Sequence, residues 1–506
     1  MKRIQFITGV LITLLVSSLS SYSQTDSLPK ITAEKFVTKH SIKIDNKLIN
    51  YTATVGTLIL KNEKDESIAS FGYTAYTKDG EADVAKRPVM FSFNGGPGSS
   101  SIWLHMGIMG PRRIAVNDPN SNGPAPYRLE DNSYCLLDVT DIVMMDPIGT
   151  GLSRAAGKSK NSDFWGVESD IKSVSVFIKN YITENERWNS PKFLLGESYG
   201  TFRSAGVADY LQDNLGISVN GIVLVSSVLD IRTLAFQPGD DLPYFVNFPT
   251  YAATAWYHNK LSVKPADLSA FLKEVRDFSS GEYAAALIKG DALSADEKEK
   301  ILNKLVSYTG LSKEYWSNAR LRVNQPQFSE ELLRSTHEEA GRLDSRYKGI
   351  SQDPLSEFAF SDPQDYSISP AFTAAFMNYY TVELKVPKDK TYNTGAYVFS
   401  DFNWDWKHPR SNGFFGSASS PNTGPDLVNA MSHNPHLKVM VLNGIFDLAT
   451  PFYGTEYTFN HLGLDKKIKD NISMKYYEAG HMMYIHNESA AKFKKDVAEF
   501  INSTLK

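Results

Sequence analysis

The pentapeptide G-E-S-Y-G at residues 196–200 constrains the fold of this chain more than any other feature. A short apolar run precedes it at 193–195, and residues 201–211 have the pattern of a helix. A serine between two glycines in this strand–turn–helix setting is typical of a nucleophile elbow, where the turn is too sharp for larger flanking residues. The pattern predicts that Ser198 lies at the carboxyl edge of a sheet, with the amide of Tyr199 free to donate to an oxyanion. A glycine turn with a structural serine is the alternative.

The elbow belongs to a series of short apolar runs, several of which are followed by glycine or proline turns and helical patterns. These runs lie at residues 88–93, 142–145, 193–195, 222–225, 439–442 and 474–477. Their order predicts a mostly parallel sheet that is buried on both faces. From Ser41 to about Phe93, alternating segments separated by polar turns predict antiparallel hairpins at one edge of that sheet. An apolar stripe at helical spacing over 167–182 predicts a helix that covers one face.

The pattern changes between residues 232 and 396. Much of this segment is rich in Lys, Glu, Leu and Ala at helical spacing, and Ser294 and Ser312 stand where helices should begin. We expect a mainly helical insertion or lid over 232–396. The catalytic α/β domain would then consist of residues 24–231 and 397–506.

Residues 1–23 have the pattern of a secretory signal peptide. Lys2 and Arg3 precede an apolar run that is too short to span a bilayer, which takes about 20 residues, and small polar residues follow it. We expect cleavage before Gln24 and an exported protein, periplasmic or secreted, with no stable membrane insertion after cleavage. A buried N-terminal helix or a retained anchor is the alternative.

Composition limits the partners and cofactors. The formal net charge is −4, so there is no positive field to attract nucleic acid, and we expect no nucleic-acid partner. The single cysteine, Cys135, excludes an intramolecular disulfide and a thiolate metal site. Because paired histidine ligands at i, i+4 and a dinucleotide fingerprint are both missing, we expect no metal and no cofactor. The sequence carries no signal for the oligomeric state.

A serine nucleophile requires a histidine base and an acid that orients it. His481 follows the run at 474–477 in a glycine-containing loop, and Asp447 follows the run at 439–442. The chain order Ser198, Asp447, His481 is the one that this elbow requires. We expect His481 to take the Ser198 proton and return it to the leaving group, while Asp447 fixes the tautomer and stabilises the imidazolium.

A second oxyanion donor should come from the loop after the run at 88–93. That loop, N-G-G-P-G-S-S-S at 94–101, offers consecutive small residues whose amides can approach a ligand closely. Gly95 or Gly96 should supply the amide, and we favour Gly96. A phosphate cradle is the alternative, but no G-K-[ST] follows, and an exported protein lies away from nucleotides.

Five ordered motifs make the chain resemble the serine carboxypeptidase family. They are N-G-G-P-G-S-S-S at 94–101, D-P-I-G-T-G-L-S at 146–153, G-E-S-Y-G at 196–200, Asn443-Gly with Asp447, and Gly480-His481-Met482. The resemblance implies an α/β-hydrolase fold with a helical insertion and removal of C-terminal amino acids from peptides. It also implies that Asn94 and Glu197 hydrogen-bond to the terminal carboxylate of the substrate. Two adjacent acids do not both ionise cheaply, so Glu197 should be protonated when peptide is bound and activity should favour acidic pH.

The chain departs from the family pattern at three positions. Ser92 stands where the family usually has tryptophan, and Ile108 stands where a second carboxylate-binding glutamate is expected. Ser99 replaces a common cysteine. Arg112 and Arg113 follow directly after Gly110-Pro111. Either they replace the lost recognition with a cationic clamp, or they are a solvated pair or form structural salt bridges.

The expectation is therefore an exported serine-type carboxypeptidase that acts on peptides through a Ser-His-Asp acyl-enzyme mechanism. An esterase, amidase or acyltransferase with the same triad is the nearest alternative, because two recognition residues of the family are missing. A non-catalytic binding protein on a hydrolase fold is a third possibility. Retention of Ser198, Asp447 and His481 argues against it.

Overall fold

The fold is described from a computed structural model, which covers residues 31–359, 361–409 and 420–505. The signal-peptide prediction for residues 1–23 lies outside this range. The strands, in chain order, are β1 Lys35–Ile44, β2 Lys47–Lys61, β3 Ser67–Lys78, β4 Val89–Phe93, β5 Arg112–Ile114, β6 Leu129–Asp131, β7 Asp141–Met145, β8 Arg154–Ala155, β9 Lys192–Glu197, β10 Gly221–Val225, β11 Glu338–Ala340, β12 Lys348–Ile350, β13 Lys438–Gly444 and β14 Ile472–Tyr477.

A ten-stranded mixed sheet forms the centre, in the order β1-β2-β3-β7-β4-β9-β10-β13-β14, with β8 paired to β3. The strands from β7 to β14 in this order run parallel to their neighbours, whereas β1, β2 and β3 form antiparallel hairpins at one edge and β3 pairs antiparallel with β7. The predicted fold class is thus confirmed. The hairpins begin at Lys35, earlier than the predicted Ser41, because the first half of β1 alternates between exposed and half-buried residues and has no fully buried face to mark it.

Helices cover both faces of the sheet. Their bounds are α1 Ile102–Leu104, α2 Val167–Glu184, α3 Tyr199–Leu215, α4 Leu242–Tyr257, α5 Leu268–Phe278, α6 Ala284–Lys289, α7 Ala295–Thr309, α8 Lys313–Asn318, α9 Gln325–Glu331, α10 Pro363–Asn378, α11 Gly424–His433, α12 Phe452–Asn460, α13 Lys466–Lys469 and α14 Asn487–Thr504. Successive strand residues alternate between two cores. Phe91 and Leu194 pack with α2, α3 and α11, whereas Met90 and Phe193 pack with α10 and α14. Burial on both faces explains why these strands read as unbroken apolar runs.

The segment between β10 and β13 contains α4 to α11. Ser294 and Ser312 are the N-caps of α7 and α8, as predicted, and each side chain accepts a backbone N–H of the first turn. Helices α4 to α9 pack around a third apolar core, which also includes Phe446 and Phe452 from the loop after β13 and from α12. In contrast, α10 packs against the main sheet core. The domain boundaries at 231/232 and 396/397 stay predictions.

Two further sequence features have plain structural counterparts. Cys135 is buried, its Sγ donates to the carbonyl of Met109 at 3.2 Å, and burial raises the pKa of the thiol to about 12. Within the described ranges, no helix combines the length and the apolar character needed to cross a membrane.

Candidate active site

Ser198 occupies a strained turn between β9 and α3. Its φ is 60° and its ψ is −129°, and its amide donates to the carbonyl of Val225 at 3.0 Å. A Cβ on Gly196 would lie 2.1 Å from the carbonyl oxygen of Gly200, so a side chain there is excluded. Thr201 donates both its amide and its hydroxyl to the carbonyl of Ser198, at 2.8 and 2.7 Å. The turn therefore has the geometry predicted for a nucleophile elbow, and the serine is held at the N-terminus of a 17-residue helix.

Asp447 and His481 form a buried hydrogen-bonded pair. His481 Nδ1 lies 2.8 Å from Asp447 Oδ2. Asp447 also accepts the amides of Ala449 and Thr450 at 2.8 and 2.9 Å and the Thr450 hydroxyl at 2.7 Å. Burial opposes protonation of His481, but the charge and hydrogen bond of Asp447 outweigh it and raise the pKa of the imidazole. The Ser226 hydroxyl donates to the carbonyl of His481 at 2.7 Å and fixes the backbone of this loop.

The serine and the histidine share one cavity of about 380 Å³. It is also lined by Asn94, Gly95, Gly96 and Glu197. Of the other predicted residues, Asp447 lies behind His481 and Tyr199 follows Ser198 at the start of α3, and neither lines the cavity. No hydrogen bond shorter than 3.5 Å joins Ser198 Oγ to the His481 ring in this part of the chain. Such a bond is often long in an unliganded site and tightens in the substrate complex.

The loop after β4 lies directly against the elbow. A Cβ on Gly95 would lie 2.4 Å from the amide nitrogen of Tyr199 and 2.7 Å from that of Gly200, so glycine is required for this approach. Gly96, with φ of +103°, follows at once and lines the cavity beside Ser198. The arrangement brings the main chain of Gly95 against the N-terminus of α3, where the first amides of a helix have no intrahelical acceptor. The assignment of Gly96 and Tyr199 as oxyanion donors stays a prediction.

Arg203 connects this loop to the helices behind it. Its guanidinium is fully buried, donates from Nη1 to the carbonyl of Asn94 at 2.7 Å, and pairs through Nε with Asp170 of α2 at 2.7 Å. It also lies 5.2 Å from the ring centroids of Phe93 and Tyr199. Since one side chain contacts α2, the elbow and the glycine loop, Arg203 is a positioning residue that the sequence analysis missed.

Asn94 and Glu197 contact each other at the base of the cavity. Asn94 Nδ2 donates to Glu197 Oε1 at 2.9 Å, and Asn94 Oδ1 accepts the amide of Leu104 at 3.0 Å. Their exposed fractions are 2% and 3%. Burial raises the pKa of Glu197 to about 7, while the charge of His481, the Tyr484 hydroxyl and the hydrogen bond of Asn94 act in the opposite direction. This pKa favours a neutral Glu197 at mildly acidic pH, and its protonation with peptide bound stays a prediction.

Tyr484 is a second residue that the sequence analysis missed. It lies three residues after His481 and is fully buried, and a Cβ on Gly107 would lie 2.2 Å from its ring. Gly107 is the neighbour of Ile108, the position where the family resemblance would place an acid. The ring of Tyr484 thus packs against the chain next to Ile108, and its hydroxyl lowers the pKa of the Glu197 carboxyl. A tyrosine in an apolar loop gives no sequence signal for this role.

The two arginines after Gly110-Pro111 make structural contacts away from the cavity, and only Arg112 forms salt bridges among the described residues. Arg112 pairs with Asp131 and Glu383, and Arg113 donates to Asn487 at 3.2 Å and stacks on Tyr134. Neither lines the cavity at Ser198. A cationic clamp at these positions is wrong because both guanidinium groups are already engaged elsewhere.

Residues 341–347, which we call the buttress segment, bind both catalytic loops. The carbonyl of Leu343 accepts the amide of His481 at 2.7 Å, and the carboxylate of Asp344 accepts the amide of Gly480 at 2.8 Å. The carbonyl of Arg342 accepts the amide of Leu448, next to Asp447, at 3.0 Å. The segment belongs to the predicted insertion, and its sequence carried no signal for this contact.

The cavity has the parts needed for acyl transfer. It combines a serine at a helix N-terminus, an imidazole paired with a carboxylate, and a glycine loop close to free amides. Across the described ranges, no group of three or more His, Cys, Asp or Glu side chains has the arrangement of a metal site.

Comparison with known proteins agrees with the motif resemblance. Residues 59–217 match the sequence model of the serine carboxypeptidase family, which confirms the resemblance. A protein of Arabidopsis thaliana described as serine carboxypeptidase-like 20 is 32% identical over 129 residues. That alignment covers 24% of this chain and 24% of the relative. The family match contains the glycine loop and the elbow, whereas Asp447 and His481 lie beyond it.

A solved structure shares the fold over most of the chain. The carboxypeptidase Kex1 of Saccharomyces cerevisiae, described as prohormone-processing, superposes with a TM-score of 0.54. The two chains are 16% identical, and the superposition covers 90% of this chain and 91% of Kex1. Together with the mixed, mostly parallel sheet and the strand–elbow–helix order, this likeness shows that the chain has the α/β-hydrolase fold.

Proposed function

We propose that this chain, whose residues 59–217 match the serine carboxypeptidase family, is an exported serine-type carboxypeptidase that removes C-terminal residues from peptides. The observation that carries the proposal is one cavity lined by Ser198, His481, Asn94 and Glu197, with Asp447 hydrogen-bonded behind the histidine. A nucleophile with its base and a neutral acid that can donate to a carboxylate suit a peptide with a free C-terminus.

The proposed reaction has two acyl-transfer steps. Ser198 Oγ attacks the last peptide carbonyl while His481 Nε2 takes its proton, and the developing oxyanion accepts from the amides of Gly96 and Tyr199. The imidazolium, stabilised by Asp447, then protonates the leaving amine, and the C-terminal amino acid departs. Water, activated by His481, attacks the acyl-serine ester and releases the shortened peptide. The reaction requires no cofactor.

Substrate selection in this proposal depends on Asn94 and Glu197. A protonated Glu197 donates a hydrogen bond to the terminal carboxylate, and Asn94 supplies a second N–H. An ionised Glu197 would repel the same carboxylate. The pKa of about 7 therefore sets the upper pH limit for binding of free-acid peptides.

Export is part of the proposal and depends on residues 1–23 alone. The positively charged start, short apolar run and small polar end support signal-peptide cleavage before Gln24. N-terminal sequencing of the protein recovered from the producing cells should begin at Gln24. A start at Met1 would contradict export by this route.

The activity is tested with blocked dipeptides that have a free C-terminal acid, the matching amides and an aryl ester. We expect stepwise release of C-terminal residues at mildly acidic pH, labelling of Ser198 by a serine-directed phosphonate, and loss of at least about 10⁴-fold in Ser198→Ala. Ester turnover without peptide hydrolysis would favour the esterase alternative. An unlabelled Ser198 would favour a non-catalytic binding protein.

A further inference from the structure

Arg342 is an exposed arginine that lines the cavity shared by Ser198 and His481. Among the described residues, no carboxylate oxygen lies within 4.0 Å of its guanidinium. The charge nevertheless acts on the site: burial raises the pKa of Asp362 and Asp447 raises that of His481, and Arg342 opposes both rises. An arginine that faces a catalytic cavity without an ion-pair partner has its full hydrogen-bonding fork available to a ligand.

The backbone of Arg342 is held firmly relative to the catalytic groups. Its carbonyl accepts the amide of Leu448, and the next residue, Leu343, accepts from the amide of His481 and donates to Asp362 Oδ2 at 2.8 Å. Asp344 accepts the amide of Gly480 and pairs with Arg346 at 2.6 Å. Consequently the Arg342 Cα keeps a fixed position beside the catalytic loops, although the side chain itself reaches solvent.

The nearby acids are engaged with other groups. Asp362 accepts two backbone amides, those of Leu343 and Gln364, and Asp365, which also lines the cavity, accepts the Ser369 hydroxyl at 2.7 Å. Neither approaches Arg342 closely enough to form an ion pair within 4.0 Å. These carboxylates therefore offset part of the Arg342 charge from a distance, but the N–H groups of its guanidinium stay available to a ligand.

Apart from His481, which must be neutral to act as the base, the groups at the base of the cavity offer no positive charge to an incoming carboxylate. Asn94 and Glu197 are almost completely buried and bonded to each other, so they offer neutral donors at most. Ile108 supplies no donor where the resemblance would place a glutamate, and Arg112 and Arg113 are paired elsewhere. A carboxylate that leaves water for this cavity would therefore gain its charge compensation from Arg342.

We propose that Arg342 is a specificity-determining residue that binds a carboxylate of the substrate. This inference rests on the proposed peptidase function. The carboxylate comes either from the C-terminus of the peptide or from an acidic side chain at its last residue. Arginine binds either one bidentately, so the shared chemistry is a guanidinium–carboxylate pair at the mouth of the cavity.

The test compares four blocked dipeptides, Phe-Leu acid, Phe-Leu amide, Phe-Glu acid and Phe-Gln acid, with the wild type, Arg342→Gln and Arg342→Lys. We expect Arg342→Gln to lose on the order of 10- to 100-fold in kcat/KM on the Leu acid relative to the Leu amide, mainly through KM. A loss confined to Phe-Glu relative to Phe-Gln would instead assign the side-chain carboxylate. Arg342→Lys should keep part of the preference, because it retains the charge but not the fork.

The matched control is Arg128→Gln, an exposed arginine outside the cavity, which should leave all four values unchanged. If Arg342→Gln changes kcat/KM equally on the Leu acid and the Leu amide, and equally on Phe-Glu and Phe-Gln, the proposed role of Arg342 is overturned.

Calorimetric binding of the same peptides to Ser198→Ala, with and without Arg342→Gln, separates this inference from the proposed function. If the wild type releases no residue, the peptidase proposal fails. The Kd values then still decide whether Arg342 discriminates between carboxylate and amide.

Discussion

Replacing Glu197 with glutamine should stabilise the protein at alkaline pH and leave its stability unchanged at acidic pH. Glu197 is 3% exposed, and burial raises its pKa from 4.5 to about 7. Glutamine keeps the shape of the side chain and an oxygen that can accept from Asn94 Nδ2, but it does not ionise.

The sign and size of this stability difference follow from the linkage between protonation and folding. Below pH 4.5, the carboxyl is protonated in both the folded and the unfolded state, and it makes no pH-dependent contribution. Between pH 4.5 and 7 the unfolded state ionises first, so the wild type loses stability as pH rises, and the loss is complete above pH 7. A raised pKa of this size costs the wild type about 3 kcal/mol of unfolding free energy above pH 7. The glutamine variant does not ionise and keeps this free energy.

Calorimetric melting of the wild type and Glu197→Gln between pH 4 and pH 9 measures the effect. With an unfolding entropy of about 1 kcal/mol per kelvin for a chain of this length, the Tm of the variant should exceed that of the wild type by about 3 °C at pH 8. Glu478→Gln, an exposed glutamate in the same loop as His481, is the control and should show no such trend. A Tm difference for Glu197→Gln that stays constant from pH 4 to pH 9 would refute the raised pKa.

Three further predictions follow from the site. On a free-acid dipeptide, kcat/KM should fall above pH about 7 as Glu197 ionises, whereas on an aryl ester it should rise to a plateau as His481 loses its proton; parallel profiles would contradict this. Tyr484→Phe should move the alkaline limit for free-acid peptides to higher pH, because it removes a hydroxyl that lowers the pKa of Glu197; an unmoved limit would exclude that contact. Arg203→Met should lower the free energy of unfolding, measured in urea, by about 3–5 kcal/mol because Asp170 stays buried without its partner, and Arg203→Met with Asp170→Leu should recover most of this; a double variant as unstable as the single one would contradict it.

The side chains of the proposed triad could be predicted from sequence because each follows an apolar strand. The carboxyl ends of parallel strands meet at one edge of a sheet, so the loops after β9, β13 and β14 had to lie together once the sheet was recognised. The glycines around Ser198 added the sharp turn. Local patterns of this kind carry both the position of a residue and the direction of its side chain.

The buttress segment could not be predicted because its contacts are long-range and use backbone groups. Asp344 and Gly480 are 136 positions apart, and the bond between them is a carboxylate accepting an amide, which any Asp in a loop could form. Arg342 likewise reads as one more charged residue of a helical region. For Arg112 and Arg113 the charge pattern allowed two interpretations. Only the positions of Asp131 and Glu383 for Arg112, and of Asn487 and Tyr134 for Arg113, distinguish them.

The contacts of the buttress segment limit how this enzyme scaffold can be re-engineered. Lids of hydrolases are attractive targets for exchange between homologues, because their walls shape the pocket. Here the region between β10 and β13 also supplies the acceptors for the amides of Gly480, His481 and Leu448. A chimera that exchanges the whole region would remove these acceptors and loosen the loops on which the reaction depends. Grafts that end before Gly341 and resume after Tyr347 would keep them and vary the pocket alone.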